Sequence, residues 1–145
     1  MSRKAYRPRR EDFHYSYTVG TRWADHDSYG HVQNIVYYSF FDSAISHFLV
    51  GQGTLDIGNS PVIGLIVESS CTFLSPITFP DDVTVGLRIT HLGNSSARYE
   101  LGVFRNDEDE ACALGYVVYV YVDRSSNAPV AIPRLIRDEL LRLVD

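Results

Sequence analysis

Cysteine is scarce in this chain, with only Cys71 and Cys112 present. Two thiols cannot build a disulfide framework, and their spacing is not that of a metal site. Both fall in apolar-rich stretches, where free buried thiols and a reducing compartment are expected. Long apolar runs are missing as well. No stretch reaches the ~18 apolar residues that a spanning helix needs, so no membrane span is expected. The basic start, MSRKAYRPRRED, is not followed by the apolar segment of a signal peptide, which sets the expectation of a cytoplasmic protein. Internal repeats, low-complexity tracts, a glycine-rich phosphate loop and a convincing Ser–His–Asp set are all absent.

Positive charge is short beyond the first ten residues. Arg3, Lys4, Arg7, Arg9 and Arg10 are five of the 13 basic residues, leaving eight against 18 acidic ones, a body near −10. Such a body repels phosphate backbones, which argues against a nucleic-acid partner. Residues 1–12 read as a flexible basic tail. The remainder, 13–145, reads as one domain, because 145 residues that are 45% apolar and 21% charged suit a single globular core.

Periodicity orders that domain. Phe13, Tyr15, Tyr17 and Val19 alternate with polar residues, the signature of a half-buried strand. From Ile35 the period changes: Tyr37, Phe40, Phe41, Ala44, Ile45, Phe48 and Leu49 recur at helical spacing and predict a buried helix of about 15 residues. Asn34 stands where an N-cap belongs and Gly51 where the helix should stop. A loop over 53–61 and four long strands follow, at 62–74, 83–91, 97–104 and 111–123. Turn chemistry separates the strands: Pro76 and Pro80-Asp81-Asp82, then Gly93-Asn94, then Asn106-Asp107. Short connections between long strands imply antiparallel neighbours. The last strand is nearly continuous in apolar residues, as expected for burial on both faces. Pro133 opens a short C-terminal helix over 134–143, with Ile136, Leu140 and Leu143 on its contact face. The sum is an α+β domain, a curled five-stranded antiparallel sheet wrapped around one helix. Its open edge strands invite pairing between two copies.

Chemistry concentrates at 25–34. Two carboxylates, Asp25 and Asp27, and two imidazoles, His26 and His31, stand just before the helix start. A helix N-terminus offers unpaired N–H groups and partial positive charge, which suits a developing oxyanion. Gly30 would let the backbone bend close to a ligand. A carboxylate there can act as nucleophile or as base on water. The same residues also fit turn and capping duty, or a metal set of His26, Asp27 and His31.

The segment resembles the signature of the 4-hydroxybenzoyl-CoA thioesterase branch of the hotdog superfamily, D-x-D-x-x-G-H-V-N-N-x-x-Y. Asp25, Asp27, Gly30, His31, Val32, Asn34 and Tyr37 match it, and Gln33 departs from it. Downstream, Phe73-Leu74-Ser75-Pro76-Ile77, Phe79-Pro80-Asp81-Asp82, Leu92-Gly93-Asn94-Ser95-Ser96 and the GYVVYVYVD strand are similar to further family segments. The resemblance implies a hotdog fold with a short C-terminal helix and hydrolysis of an acyl-CoA thioester to free acid and CoA. Asp27 matches the family's catalytic aspartate, and the backbone N–H of Asn34 the group that polarises the thioester carbonyl. Asp25 is expected to hold the loop, while Trp23, Tyr29, His31 and Tyr37 are candidates to line the substrate site. Asp42, on the helix, reads either as a buried carboxylate behind the site or as a solvent-facing residue. Coenzyme A enters as part of the substrate, with no separate cofactor and no metal. Its phosphates need local cations, for which Arg88, His91 and Arg98 are the candidates. The resemblance also implies a homodimer or homotetramer with active sites between subunits. A non-catalytic acyl-thioester-binding module is the alternative, and a hydratase or dehydratase of the same fold a more distant one.

Overall fold

The computed structural model describes residues 7–51 and 58–145. The chain forms β1 (Tyr15–Gly20), α1 (Asn34–Gly51), β2 (Val62–Phe73), β3 (Asp82–Leu92), β4 (Ser96–Arg105), β5 (Ala113–Asp123) and α2 (Arg134–Leu141). The strands make one antiparallel sheet in the order β1-β3-β4-β5-β2, so β1 and β2 are its edges. Only part of the expected 53–61 loop lies within the described residues.

Alternation decides which side of the sheet is covered. Val83, Val85, Leu87 and Ile89 of β3, with Ala97, Tyr99, Leu101 and Val103 of β4, are all buried and form one core with α1. The helix contributes Tyr37, Phe40, Phe41, Ala44, Ile45, Phe48 and Leu49, the seven residues that periodicity picks out. Each of the Phe, Ile and Leu side chains among them, fully buried, stabilises the fold by roughly 1.5–3 kcal/mol. The helix lies close to β5: a Cβ on Gly115 would sit 2.5 Å from the Phe41 ring and 2.6 Å from the Ser70 carbonyl oxygen. The outward residues Leu114, Val118 and Val120 of β5 are only half-buried, with Val122 buried at the strand's end, so the expected burial on both faces is met only in part on the outer one. At the C-terminus, Pro133 precedes α2, and Ile136, Leu140 and Leu143 are buried as expected.

The N-terminal segment departs from its expected role. Residues 1–6 lie outside the described residues, but 7–12 are docked. The Ala111 N–H donates to the Pro8 carbonyl, Arg10 donates to the carbonyls of Asn106 and Glu108, and Arg9 pairs with Asp109. The acidic turn after β4 thus gathers the basic residues that a free tail would hold in water. Phe13 leaves the predicted strand period. Its ring rests on the outer face of the sheet over Gly86 and Gly102, edge-on to Phe104.

Candidate active site

The segment between β1 and α1 is fastened at several points. Asp25 is 2% exposed. Its carboxylate accepts hydrogen bonds from the Arg22 backbone N–H at 2.8 Å and from the Arg22 guanidinium at 2.9 and 3.1 Å. Asp25 therefore holds the loop, as expected. The Gln33 N–H donates to the Asp25 carbonyl, and the Val32 N–H to that of Ile77. The Gln33 side-chain amide donates to the His26 carbonyl at 2.9 Å. Gln33, the departure from the family pattern, thus takes a bracing part in this loop.

His26 braces through its ring. Its Nε2 accepts the Phe79 N–H at 2.6 Å, and the ring packs edge-on between Trp23 and Phe79. A ring nitrogen already accepting a backbone N–H is a poor metal donor, and no group of three metal-binding side chains occurs among the described residues.

Asp27 stands differently. The tight turn it opens needs Gly30 at φ 77°, in the left-handed region that glycine adopts without a Cβ clash. Oδ1 of Asp27 accepts the Tyr29 N–H at 2.8 Å and the His31 N–H at 3.1 Å, and neither bond uses Oδ2. These bonds, that from His31 first, hold the carboxyl below the usual carboxylate range. The group is an ionised carboxylate at neutral pH, with one of its two oxygens fixed by the turn.

Asp27 lies in a cleft of about 320 Å³ whose other walls are His31, Val32, Asn34, Tyr37 and residues 73–76. Asn34 is the first residue of α1, and Gln33 occupies the capping position expected for Asn34. The Asn34 N–H has no partner among the described residues, which is the ordinary state of a helix-opening donor. Asp27 and the first residue of α1 thus line one cleft.

The remaining candidates divide. His31 and Tyr37 line the cleft, and Tyr37 is 3% exposed with its ring edge-on to Phe73 at 4.9 Å. Trp23 and Tyr29, 74% and 85% exposed, are not among the residues lining it. The 3-10 turn at Trp23–Asp25 carries the Trp23 ring onto His26 and Phe79, and Tyr29 rides the tip of the turn. Asp42 is exposed, on the solvent side of the two readings. Arg88 is not available for phosphate: it pairs with Glu100, donates to the Asp12 carbonyl and lies over the Phe13 ring. Arg98 lies over the Tyr116 ring at 3.7 Å, and His91 is exposed directly across from Arg98. The wall at 73–76 had no role assigned from sequence, although its motif was visible there.

Both thiols are free, Cys112 buried and Cys71 half-buried. Burial pushes Cys71 up to about 12 and Cys112 up to about 11. At pH 8 both remain protonated and unreactive. The folded protein should therefore alkylate far more slowly than the denatured chain, which should titrate at two thiols. Rapid labelling of the folded chain would contradict this.

The architecture, one long helix wrapped by a curled antiparallel sheet with an acidic loop feeding its N-terminus, is that of a hotdog-fold thioesterase. Residues 21–142 match the family model of the thioesterase-like superfamily, and the chain belongs to that family. It is similar to the crystal structure of the PA5185 protein from Pseudomonas aeruginosa, with 48% identity, TM-score 0.93 and coverage of 97% of this chain and 98% of that one. A thioesterase from Thermus thermophilus, solved with coenzyme A and zinc, shares 31% identity at TM-score 0.75, over 92% of this chain and 96% of that one. A gentisyl-coenzyme A thioesterase shares 26% identity at TM-score 0.76, over 87% and 99%. No curated protein matches the sequence. Among the described residues, no helix is long and apolar enough to cross a membrane.

Proposed function

We propose that this thioesterase-family protein hydrolyses an acyl-CoA thioester to free acid and CoA, with Asp27 as the reacting carboxylate. The carrying observation is that one cleft is lined by both Asp27, whose carboxylate is anchored through Oδ1, and Asn34, the residue that opens α1. The thioester carbonyl lies against the Asn34 N–H, which stabilises the oxyanion as it forms. Asp27 either attacks the carbonyl carbon, expelling CoA thiolate and leaving a mixed anhydride for water, or takes a proton from the attacking water. Thiolate is a good leaving group, so one carboxylate and one oriented dipole suffice. Coenzyme A as carrier is supported by the two relatives whose names include it. Arg98 and His91 on the outer sheet face are the proposed phosphate contacts. The test is thiol release across a panel of acyl-CoAs, with crotonyl-CoA hydration assayed alongside. Hydration without hydrolysis, or binding without turnover, would overturn the reading.

A second copy of the chain belongs to this proposal. The outer edge of β2 has no strand beside it among the described residues, and it exposes Leu65, Ile66 and Val67. An unpaired apolar edge is a template for strand addition, and two such edges related by a two-fold axis close each other. Replacing Ile66 and Val67 by Lys should give a monomer in sedimentation and lower the turnover. A variant that sediments as wild type would place the subunit contact elsewhere.

A further inference from the structure

The cleft has a fixed side and a wall that needs fixing. Asp27 and Asn34 are held by the loop and the helix, whereas the facing wall, residues 73–76, is the end of an edge strand and the turn after it. Its donors are satisfied from inside: the N–H groups of Leu74 and Ser75 both reach the Cys112 carbonyl, at 2.9 and 3.0 Å. Its carbonyls are held from outside by two guanidiniums. Arg105 Nη1 donates to the Pro76 carbonyl, and Arg7 Nη2 donates to that of Leu74 at 3.1 Å.

Each guanidinium is itself anchored on the acidic turn after β4. Arg105 makes a two-pronged pair with Glu108, Nε at 2.7 Å and Nη2 at 2.9 Å, and its side chain is largely covered. Arg7 stands 3.8 Å from Glu110 and is more exposed. A planar fork of donors that meets a carboxylate with two N–H groups and a carbonyl with a third is geometry that lysine does not reproduce. Through Arg7 the basic start of the sequence thereby contributes a hold on this wall.

We infer that Arg105, supported by Arg7, is a positioning residue for the thioester, holding the 73–76 wall at the distance from Asp27 that attack requires. The inference rests on the hydrolase reading above. Displacing a reacting geometry by about 1 Å costs on the order of 10²-fold in rate, so loss of the main hold should appear in kcat. It should change KM less, because the wall's apolar surface remains.

The test compares Arg105→Met, Arg105→Lys, Glu108→Gln and Arg7→Ala with wild type, measuring kcat and KM on the best acyl-CoA, melting temperature, and amide exchange at Leu74 and Ser75. Arg105→Met is expected to lower kcat at least ten-fold with KM within about three-fold. Exchange at Leu74 and Ser75 should quicken while the β3 and β4 amides stay protected. Glu108→Gln and Arg105→Lys should fall between Met and wild type, and Arg7→Ala should cost less than any Arg105 change. An Arg105→Met enzyme with wild-type kcat overturns the inference while leaving the hydrolase reading intact. So does a loss that follows a lowered melting temperature with exchange quickened throughout the sheet. A wild-type chain that hydrolyses no thioester overturns the hydrolase reading and, with it, the catalytic role given to Arg105.

Discussion

An Asp27→Asn protein should release thiol from acyl-CoA about 10²–10⁴-fold more slowly than wild type, the range of a lost base or nucleophile. It should also melt at the same temperature. The two halves of the result have separate causes. Asparagine keeps an Oδ1 that accepts the Tyr29 and His31 N–H groups, so the turn survives. It loses the charge and the second carboxylate oxygen on which the proposed mechanism depends. Rapid-quench kinetics then tests for the covalent route: thiol released ahead of free acid marks an acyl-enzyme on Asp27 whose hydrolysis is the slower step. Full activity in the asparagine variant would remove Asp27 from the mechanism.

The pH dependence follows from the same hydrogen bonds. The backbone donors hold Asp27 below the ordinary aspartate value of about 3.9. It therefore stays ionised from neutral pH through pH 5, and any loss of rate in that window has another origin. For stability the sign is that of a depressed acid. Its contribution is present above the unfolded-state value and is lost as pH falls through the lower folded one. Asp27 is exposed enough for solvent to screen that contribution, so acid should affect its chemistry more than the fold.

Phe41→Ala should be the costliest single truncation on the helix, lowering unfolding free energy by about 3–5 kcal/mol. In a domain of this size that moves the melting temperature by roughly 10 °C or more. Phe41 is 1% exposed and packs on Gly115, where β5 gives the ring no side chain to meet. The opposite change, Gly115→Ala, should cost about 1–3 kcal/mol by overpacking the same contact. Because α1 carries Asn34 at its start, both variants should also lose activity before they unfold. Denaturant titration beside thiol release checks this. A Phe41→Ala protein as stable as wild type would mean that the helix does not take its place from this contact.

What local chemistry governs was legible in order along the chain. The helix face from Tyr37 to Leu49 is written at 3.6-residue spacing and the strands at two, because each element must turn its apolar side to one core. The candidate site was legible where it is contiguous: Asp25, Asp27, Gly30, His31 and Asn34 share one loop, and their order carries the family likeness. Phe13 was misread because it continues the alternation of β1, although its ring rests on the outer face over two glycines of other strands. Arg88 was misread because a cation beside a turn looks available until Glu100 is paired opposite it.

The turn that holds Asp27 and the helix start at Asn34 were thus determined by the sequence itself, since a turn, a glycine at positive φ and a helix start are set within ten residues. Tertiary structure alone decided what faces them. The wall at 73–76, the Arg105 and Arg7 holds on it, the docking of the basic segment, and the exclusion of Trp23 and Tyr29 from the cleft all come from contacts between distant parts of the chain. Spacing along a sequence records which side of an element is apolar, but not which other element that side, or a charged neighbour, will meet.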